Sequence, residues 1–418
     1  MNAKEIGDYA GAFCFGYPFV MAWYWMIGGV LYTFVRERHE PPMGEPPEME
    51  SYTPVSVLLP CHNEEANAEE TIGVLAELDY PDFEIIAIND GSTDRTGAIL
   101  DELSTRIPRL RVVHLAQNQG KSTAMNFGAM VARNQILVGT DGDALLDRNS
   151  LRWMVRRLQN DARLGGVTGN PRIRNRATML GRLQVGEFSS IVGMIKRTQF
   201  VYGSLFTVSG VMCAFRKRAL QDAGWWAPGT LTDDVDVSWR VQLAGWGIAY
   251  EPKAICWILM PETLKGLWRQ RLRWAQGGSA TAFSSFKAVF ARRRWGMLVI
   301  WINFMAGICW AYLAVIGIVL GLVNWGVQIF GAEMPFFRPM PDTWPAILAI
   351  TYFLQALVSV AIDSRYEPGL MRSFFWLVWY PAAFWLIQAF TAVVGVPKAL
   401  LRPKGGRGVW ISPDRGFR

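Results

Sequence analysis

Four stretches of the chain contain no Asp, Glu, Lys or Arg: 12–35, 297–323, 343–362 and 373–397. Each is long enough to cross a bilayer as a helix, which takes about 20 predominantly apolar residues. Between the first and the second the pattern changes. From Pro54 to about Gly278, short apolar and β-branched runs (Val55–Leu59, Phe83–Asn89, Leu110–Leu115 and Gln135–Thr140) alternate with helical stretches such as those opening at Asn63 and Ser92. This alternation predicts an α/β domain built on a mostly parallel sheet with helices on its faces. After Pro261, Leu264, Leu267, Trp268, Leu272 and Ala275 recur at helical spacing among Lys265, Arg269, Arg271 and Arg273, with Thr263 placed to cap. A basic amphipathic helix with Trp fits one lying in a membrane interface; a surface helix packed on the domain is the plainer alternative.

The expected organisation is a transmembrane helix over 1–36, a Pro- and Glu-rich flexible tether over 37–53, the α/β domain over 54–260, interfacial amphipathic helices over 261–296, about three apolar segments over 297–397 and a basic tail over 398–418. Composition agrees. The chain is 51% hydrophobic and only 18% charged, against about 25% charged in soluble proteins, and the charge-free stretches account for the deficit. Collagen-like, disulfide-scaffold and disordered classes are excluded. The five cysteines form no C-x-x-C pair and there are three histidines, so neither a zinc site nor a disulfide framework is expected. Residues 12–35 lack the basic flank and cleavage site of a signal peptide and read as a retained span.

The net charge of +7 adds orientation. Arg36 and Arg38 follow the first apolar stretch and Arg292, Arg293 and Arg294 precede the second, which places the intervening domain in the cytoplasm and the N-terminus outside. Three later spans would put the tail outside, yet residues 398–418 carry six basic residues and one acid. Pro381 lies within the last apolar stretch, so that stretch is expected to be broken or re-entrant. Nothing in the charge pattern points to a nucleic acid.

In parallel sheets, ligands bind beyond the carboxyl ends of the strands, and three such ends carry polar clusters. Asp141-Gly142-Asp143 sets two carboxylates where both can reach one hard cation, or simply make a turn. Asn89-Asp90-Gly91-Ser92 offers Asp90 to a nucleotide or serves as a turn and helix cap; Asn63 follows the first strand. Asn118-Gln119-Gly120-Lys121-Ser122 is not a P-loop, because Leu115 stands where that motif needs Gly; Lys121 is left to face a phosphate or solvent. Thr232-Asp233-Asp234-Val235-Asp236 opens a helix, where acids complement the dipole and one can act as a general base. Gln270-Arg271-Leu272-Arg273-Trp274 brings two guanidinium forks suited to diphosphate oxygens and an indole suited to a sugar ring, or an ordinary interfacial anchor.

The order of these elements, Asp90, then D-x-D, T-D-D and Q-R-L-R-W between a first and a second apolar stretch, resembles that of the processive membrane glycosyltransferases of family 2. Within that family Leu110–Lys121, Val167–Arg174, Glu251–Gly278 and Trp410–Gly416 are similar to the bacterial poly-β-1,6-N-acetylglucosamine synthases. The resemblance covers nearly the whole chain. It departs at Asp233, where the family often has Glu, and at the N-terminus, which is one span shorter.

The resemblance implies a nucleotide-diphospho-sugar transferase fold inserted between transmembrane helices of a bacterial inner membrane. It implies that Asn63, Asp90, Lys121 and Asp141 hold the nucleotide, that Asp141 and Asp143 hold Mg²⁺ or Mn²⁺, and that Asp234 is the base. It assigns Gln270, Arg271 and Arg273 to the diphosphate leaving group, and Trp274, Asp233, Ser209 and Gly210 to the acceptor sugar. UDP-N-acetylglucosamine and the growing polysaccharide are the implied substrates and the lipid bilayer the surroundings. A small two-span membrane subunit and control by cyclic di-GMP are the implied partners; the 13 basic residues against two acids between Arg152 and Arg218 are candidates for an anionic ligand. Hyaluronan-, cellulose- or chitin-type synthesis, and a non-catalytic nucleotide-sugar-binding regulator, are the alternatives.

Overall fold

The strands form where apolar residues run without a break, because a strand covered on both faces has no polar side to present. The computed structural model describes residues 3–291, 294–329, 343–380 and 384–402. Its strands are β1 (Val55–Cys61), β2 (Phe83–Asp90), β3 (Leu110–Leu115), β4 (Ile136–Thr140), β5 (Leu145–Leu146), β6 (Leu164–Ile173), β7 (Met212–Arg216) and β8 (Gly247–Ile258). They make one eight-stranded sheet in the order β3-β2-β1-β4-β7-β6-β8-β5. Every residue of β1, β2 and β4 is buried.

The first four strands pair in parallel, as the alternating pattern predicts. Beyond β4 the sheet is mixed: β7 runs antiparallel to both β4 and β6, while β6 and β8 are parallel. Parallel register, with Val55 opposite both Phe83 and Ile136, brings the carboxyl ends of β1, β2 and β4 to one edge. The polar clusters at Asn63, Asp90 and Asp141 therefore lie together.

Among the described residues three helices are long and apolar enough to cross a membrane, over Glu5–Glu37, Trp295–Ile329 and Thr343–Asp363. Among the described residues the fourth apolar stretch contributes no such helix. It opens at the end of the short turn Leu370–Ser373, continues in Phe374–Leu377, and ends within the 16-residue helix Leu386–Leu401. At 1.5 Å per residue that helix is about 24 Å long, short of a hydrocarbon core of about 30 Å. It packs on the amphipathic helix Leu264–Ser284 so closely that a Cβ on Gly395 would come within 2.9 Å of the Ala275 Cβ. Pro381, Arg292, Arg293 and the tail from Pro403, with its Trp410–Gly416 motif, lie outside the described residues. Thr263 caps the amphipathic helix as expected, accepting from the Gly266 amide at 3.0 Å. Leu264 and Trp268 are left exposed.

The stretch expected to be a flexible tether is fastened to the domain. Glu40 takes Arg156 at 2.8 Å and Lys253 at 3.3 Å, Arg152 reaches Glu48 at 3.2 Å, and the Trp153 indole donates to the Met43 carbonyl at 3.0 Å. Its acids, which read as solvated in isolation, are the partners of a basic domain face. A second, buried set of charges joins the domain to the apolar helices. Arg172 on β6 and Arg197 both reach Asp363, at 2.7 and 3.0 Å, at the end of the third span; Arg197 also holds Glu37 at 2.7 Å, at the end of the first. Arg176 pairs with Glu367 at 2.5 Å. Removing one member of such a buried set leaves an uncompensated charge, so the network fixes the domain's seat on the spans.

Candidate active site

The site is a polar cleft at the sheet edge, floored by three elements. The first is the stitched pair of turns after β1 and β2. Asn63, at φ 55°, accepts the Thr93 amide at 2.9 Å and gives its own amide to Ser92 at 3.1 Å. Asp90 is fully buried, and its two oxygens accept the amides of Gln119 (2.8 Å) and Gly120 (2.9 Å). Gly91 has φ +61° and lies so close to the 117–118 backbone that no side chain would fit. These two contacts make Asp90 the post that fixes the 118–120 loop and delivers Lys121 at the start of the next helix, a role beside the nucleotide contact expected of it.

The second element is the D-x-D after β4. Lys121 Nζ lies 2.5 Å from an Asp141 oxygen and 3.8 Å from Asp233, and it donates to the Gly210 carbonyl at 3.3 Å. Burial alone would lower the Lys121 pKa, but the Asp141, Asp233 and Asp234 carboxylates outweigh it and hold the ammonium well above its usual range. Asp143 sits two residues on, half-buried. Both aspartates add to the upward shift of the buried Cys256 thiol beneath them, behind the larger effect of burial. Two carboxylates with oxygen donors suit a hard divalent ion that completes its shell with phosphate oxygens and water. Among the described residues no group of three or more His, Cys, Asp or Glu is placed to enclose a metal.

The third element is the N-terminus of helix Asp233–Leu243, where the structure sorts the three acids. Asp236 is tied to Arg240 at 2.8 Å. Asp233 faces Lys121. Asp234 accepts the Val235 amide at 2.9 Å and lies against Gly210, whose absent Cβ would stand 3.3 Å from the Asp234 Cβ and 3.3 Å from Lys121 Nζ. Burial, and then the Asp233 charge, push its pKa from 3.8 up to about 6, against the pull of Lys121. A carboxylate held near that value is matched to accept a proton near neutrality.

The Q-R-L-R-W motif divides differently from the expectation. Arg271 is buried and makes a two-pronged ion pair with Glu187, at 2.8 and 2.6 Å, with its guanidinium 4.4 Å from the Trp274 ring centroid. Its fork is thus occupied and not open to a diphosphate. Gln270 is also buried, and among the described residues its carbonyl oxygen has no partner. Arg273 is exposed and contributes to lowering the Asp234 pKa. Trp274 is half-buried against Phe188.

Three residues that sequence reasoning did not single out as site residues support the site side chains. Thr168 falls in the Val167–Arg174 stretch and Lys196 in the basic run, and both touch Ser209; Glu187 lies 84 residues from the Arg271 it holds. The basic run from Arg152 to Arg218 is largely spent in pairs: Arg152, Arg156, Arg163, Arg172, Arg174, Arg176 and Arg197 each have an acidic partner.

Such a cleft, with paired aspartates, a lysine and a raised-pKa carboxylate on a helix start, is that of a sugar-nucleotide transferase. A family model described as "Glycosyltransferase like family 2" matches residues 53–277, and the chain belongs to that family. The chain is 36% identical over 409 residues to a poly-beta-1,6-N-acetyl-D-glucosamine synthase of Staphylococcus epidermidis, an alignment covering 96% of this chain and 97% of that one. It is 35% identical over 403 residues, with the same coverage, to the synthase of the same name from Staphylococcus aureus strain COL. Among solved structures, a mannosyltransferase from Pyrobaculum calidifontis in complex with GDP-Man and Mn²⁺ matches with a TM-score of 0.60 at 19% identity, covering 96% of this chain and 99% of that one; that likeness supports the fold. The family and the nucleotide-sugar transferase fold expected from the motifs are thus borne out, and the chain is a hexosyltransferase.

Proposed function

We propose that this enzyme polymerises N-acetylglucosamine from UDP-N-acetylglucosamine into poly-β-1,6-N-acetylglucosamine, acting processively at the cytoplasmic face of a bacterial inner membrane and passing the chain out along its own spans. The observation that carries the mechanism is Asp234, held at about pKa 6 against Gly210 and within the reach of Lys121's charge. In this reading the terminal sugar of the acceptor lies over Ser209 and Gly210 with its 6-hydroxyl at Asp234. Asp234 takes the hydroxyl proton as the oxygen attacks the anomeric carbon. The bond from that carbon to the UDP oxygen breaks on the opposite face, so the α-linked donor becomes a β-linked product.

Lys121 and the exposed Arg273 stabilise the charge that gathers on the departing diphosphate. Asp141 and Asp143 would hold a divalent ion, Mg²⁺ or Mn²⁺, which would neutralise diphosphate charge. Asn63 and the loop fixed by Asp90 frame the nucleotide. Gln270 offers the N–H groups of its side-chain amide to the same leaving group, Trp274 offers its indole to the acceptor sugar, and Asp233 steadies Lys121 beside it. Arg271 acts through position, by anchoring the motif helix to Glu187.

By resemblance alone the enzyme works with a small two-span membrane subunit and responds to cyclic di-GMP. Arg172, Arg176 and Arg197 are paired with acids. The test of the base is incorporation of labelled N-acetylglucosamine by membranes carrying Asp234→Asn. Loss of at least about a hundredfold is expected of a missing general base, and activity near that of the parent would contradict the assignment.

A further inference from the structure

One buried cation next to the base has no place in the mechanism above. Lys196, on helix Gly193–Val201, is 4% exposed, and among the described residues no carboxylate lies within ion-pair distance of it. Its ammonium instead donates to the Ser209 hydroxyl at 2.5 Å and to the Thr168 hydroxyl at 3.2 Å. The same Thr168 oxygen accepts the Ser209 amide at 2.7 Å. The Tyr250 ring lies 5.7 Å from Lys196 Nζ. Burying a lysine without a counter-charge is costly. Burial indeed draws its pKa down to about 7, with Asp234 and then Cys213 opposing.

The arrangement has a direction. The Ser209–Gly210 peptide is gripped at both ends by lysines, Lys196 on the Ser209 hydroxyl and Lys121 on the Gly210 carbonyl at 3.3 Å. At Gly210 it lies against Asp234. A hydroxyl has one hydrogen to donate and two lone pairs with which to accept. With the lysine N–H occupying a lone pair, the Ser209 hydrogen is turned away from Lys196, and Ser209 is half-buried with a face left open.

We propose that Lys196 is a positioning residue of the transfer reaction. By holding Ser209 from beneath, it aims the serine hydroxyl as a donor toward an oxygen of the terminal acceptor sugar, and so sets that sugar's attacking hydroxyl at Asp234. The proposal rests on the acceptor placement in the proposed function. It concerns acceptor binding and leaves the donor nucleotide untouched.

The test uses the full-length enzyme in detergent with a soluble β-1,6-linked N-acetylglucosamine oligosaccharide as acceptor, comparing Lys196→Met, Ser209→Ala and the double variant. Each single variant should raise the acceptor KM by about tenfold, the scale of one hydrogen bond to a charged group, while the donor KM stays within about twofold of the parent. The double variant should be no worse than either single one, because both changes remove the same contact. Lys196→Arg, which keeps a cation and donors, should recover part of the loss.

Equal effects on donor and acceptor KM, or additive effects in the double variant, would overturn the proposal. If Lys196→Met fails to fold, Ser209→Ala and Thr168→Val provide the same comparison: a purely structural cluster would lower thermal stability without separating the two KM values. Should the parent enzyme use another UDP-sugar, the substrate reading fails, and the KM comparison with the sugar and matching acceptor that do turn over still decides the role of Lys196.

Discussion

Arg271 separates the structural account from a reading of the Q-R-L-R-W motif as a uniform diphosphate clamp. Its side chain is 4% exposed and that of Glu187 is 5% exposed, with two short hydrogen bonds between them. Replacing Arg271 with Met removes the cation and leaves a buried carboxylate whose remaining hydrogen-bond partner among the described residues is the Tyr380 hydroxyl at 3.4 Å. Breaking a buried pair in this way costs about 3–5 kcal/mol, which for a domain of this size corresponds to a fall in Tm of roughly 6–20 °C. Replacing both partners, Arg271→Met with Glu187→Leu, removes both desolvation penalties and should recover most of that loss.

The assay is thermal unfolding by intrinsic fluorescence in detergent, paired with UDP affinity measured well below the transition. The single variant should be markedly less stable, and the double variant should approach the parent in stability and bind UDP within a few-fold of it. A single variant that kept parental stability but lost UDP binding would refute this reasoning and return Arg271 to the leaving group.

Two further outcomes follow from the site. Because the Asp234 pKa is raised to about 6 and the base must be ionised, turnover should be flat above about pH 7 and fall about tenfold by pH 5; an unperturbed aspartate would hold the rate nearly constant to pH 5, and such a profile would contradict the role. With EDTA in excess, synthesis should stop and return on adding Mg²⁺ or Mn²⁺, while Asp143→Asn should raise the metal concentration for half-maximal rate; synthesis indifferent to EDTA would remove the metal from the D-x-D.

Much of the fold was legible because its signals are local. β1 to β4 fall within one or two residues of the apolar runs that predict them, since a buried strand announces itself by hydrophobicity alone. The second half of the sheet was not, because β6 reads Leu-Gly-Gly-Val-Thr-Gly-Asn-Pro-Arg-Ile and is stabilised by its neighbours β7 and β8 more than by its own propensity. In the site, Asp234, Lys121 and the D-x-D could be found from their position at strand and helix ends. What each acid does could not: Asp236 is taken by Arg240 and Asp90 by two amides, pairings visible only in three dimensions. Glu187 carried no signal and Lys196 only that of one basic residue among thirteen, for a lysine or a glutamate in a basic helical run looks solvated until its burial is known. The supposed tether failed for the same reason, its acids being matched to arginines more than a hundred residues away.

The central claim is the substrate and the bond formed. Purified enzyme supplied in turn with UDP-N-acetylglucosamine, UDP-glucose, UDP-glucuronate and UDP-N-acetylgalactosamine, with the product analysed by linkage methylation, tests it most directly. The account predicts UDP release and polymer with UDP-N-acetylglucosamine alone, joined through carbon 6 in the β configuration. A polymer of another sugar or linkage, or transfer of a single residue without elongation, would contradict it.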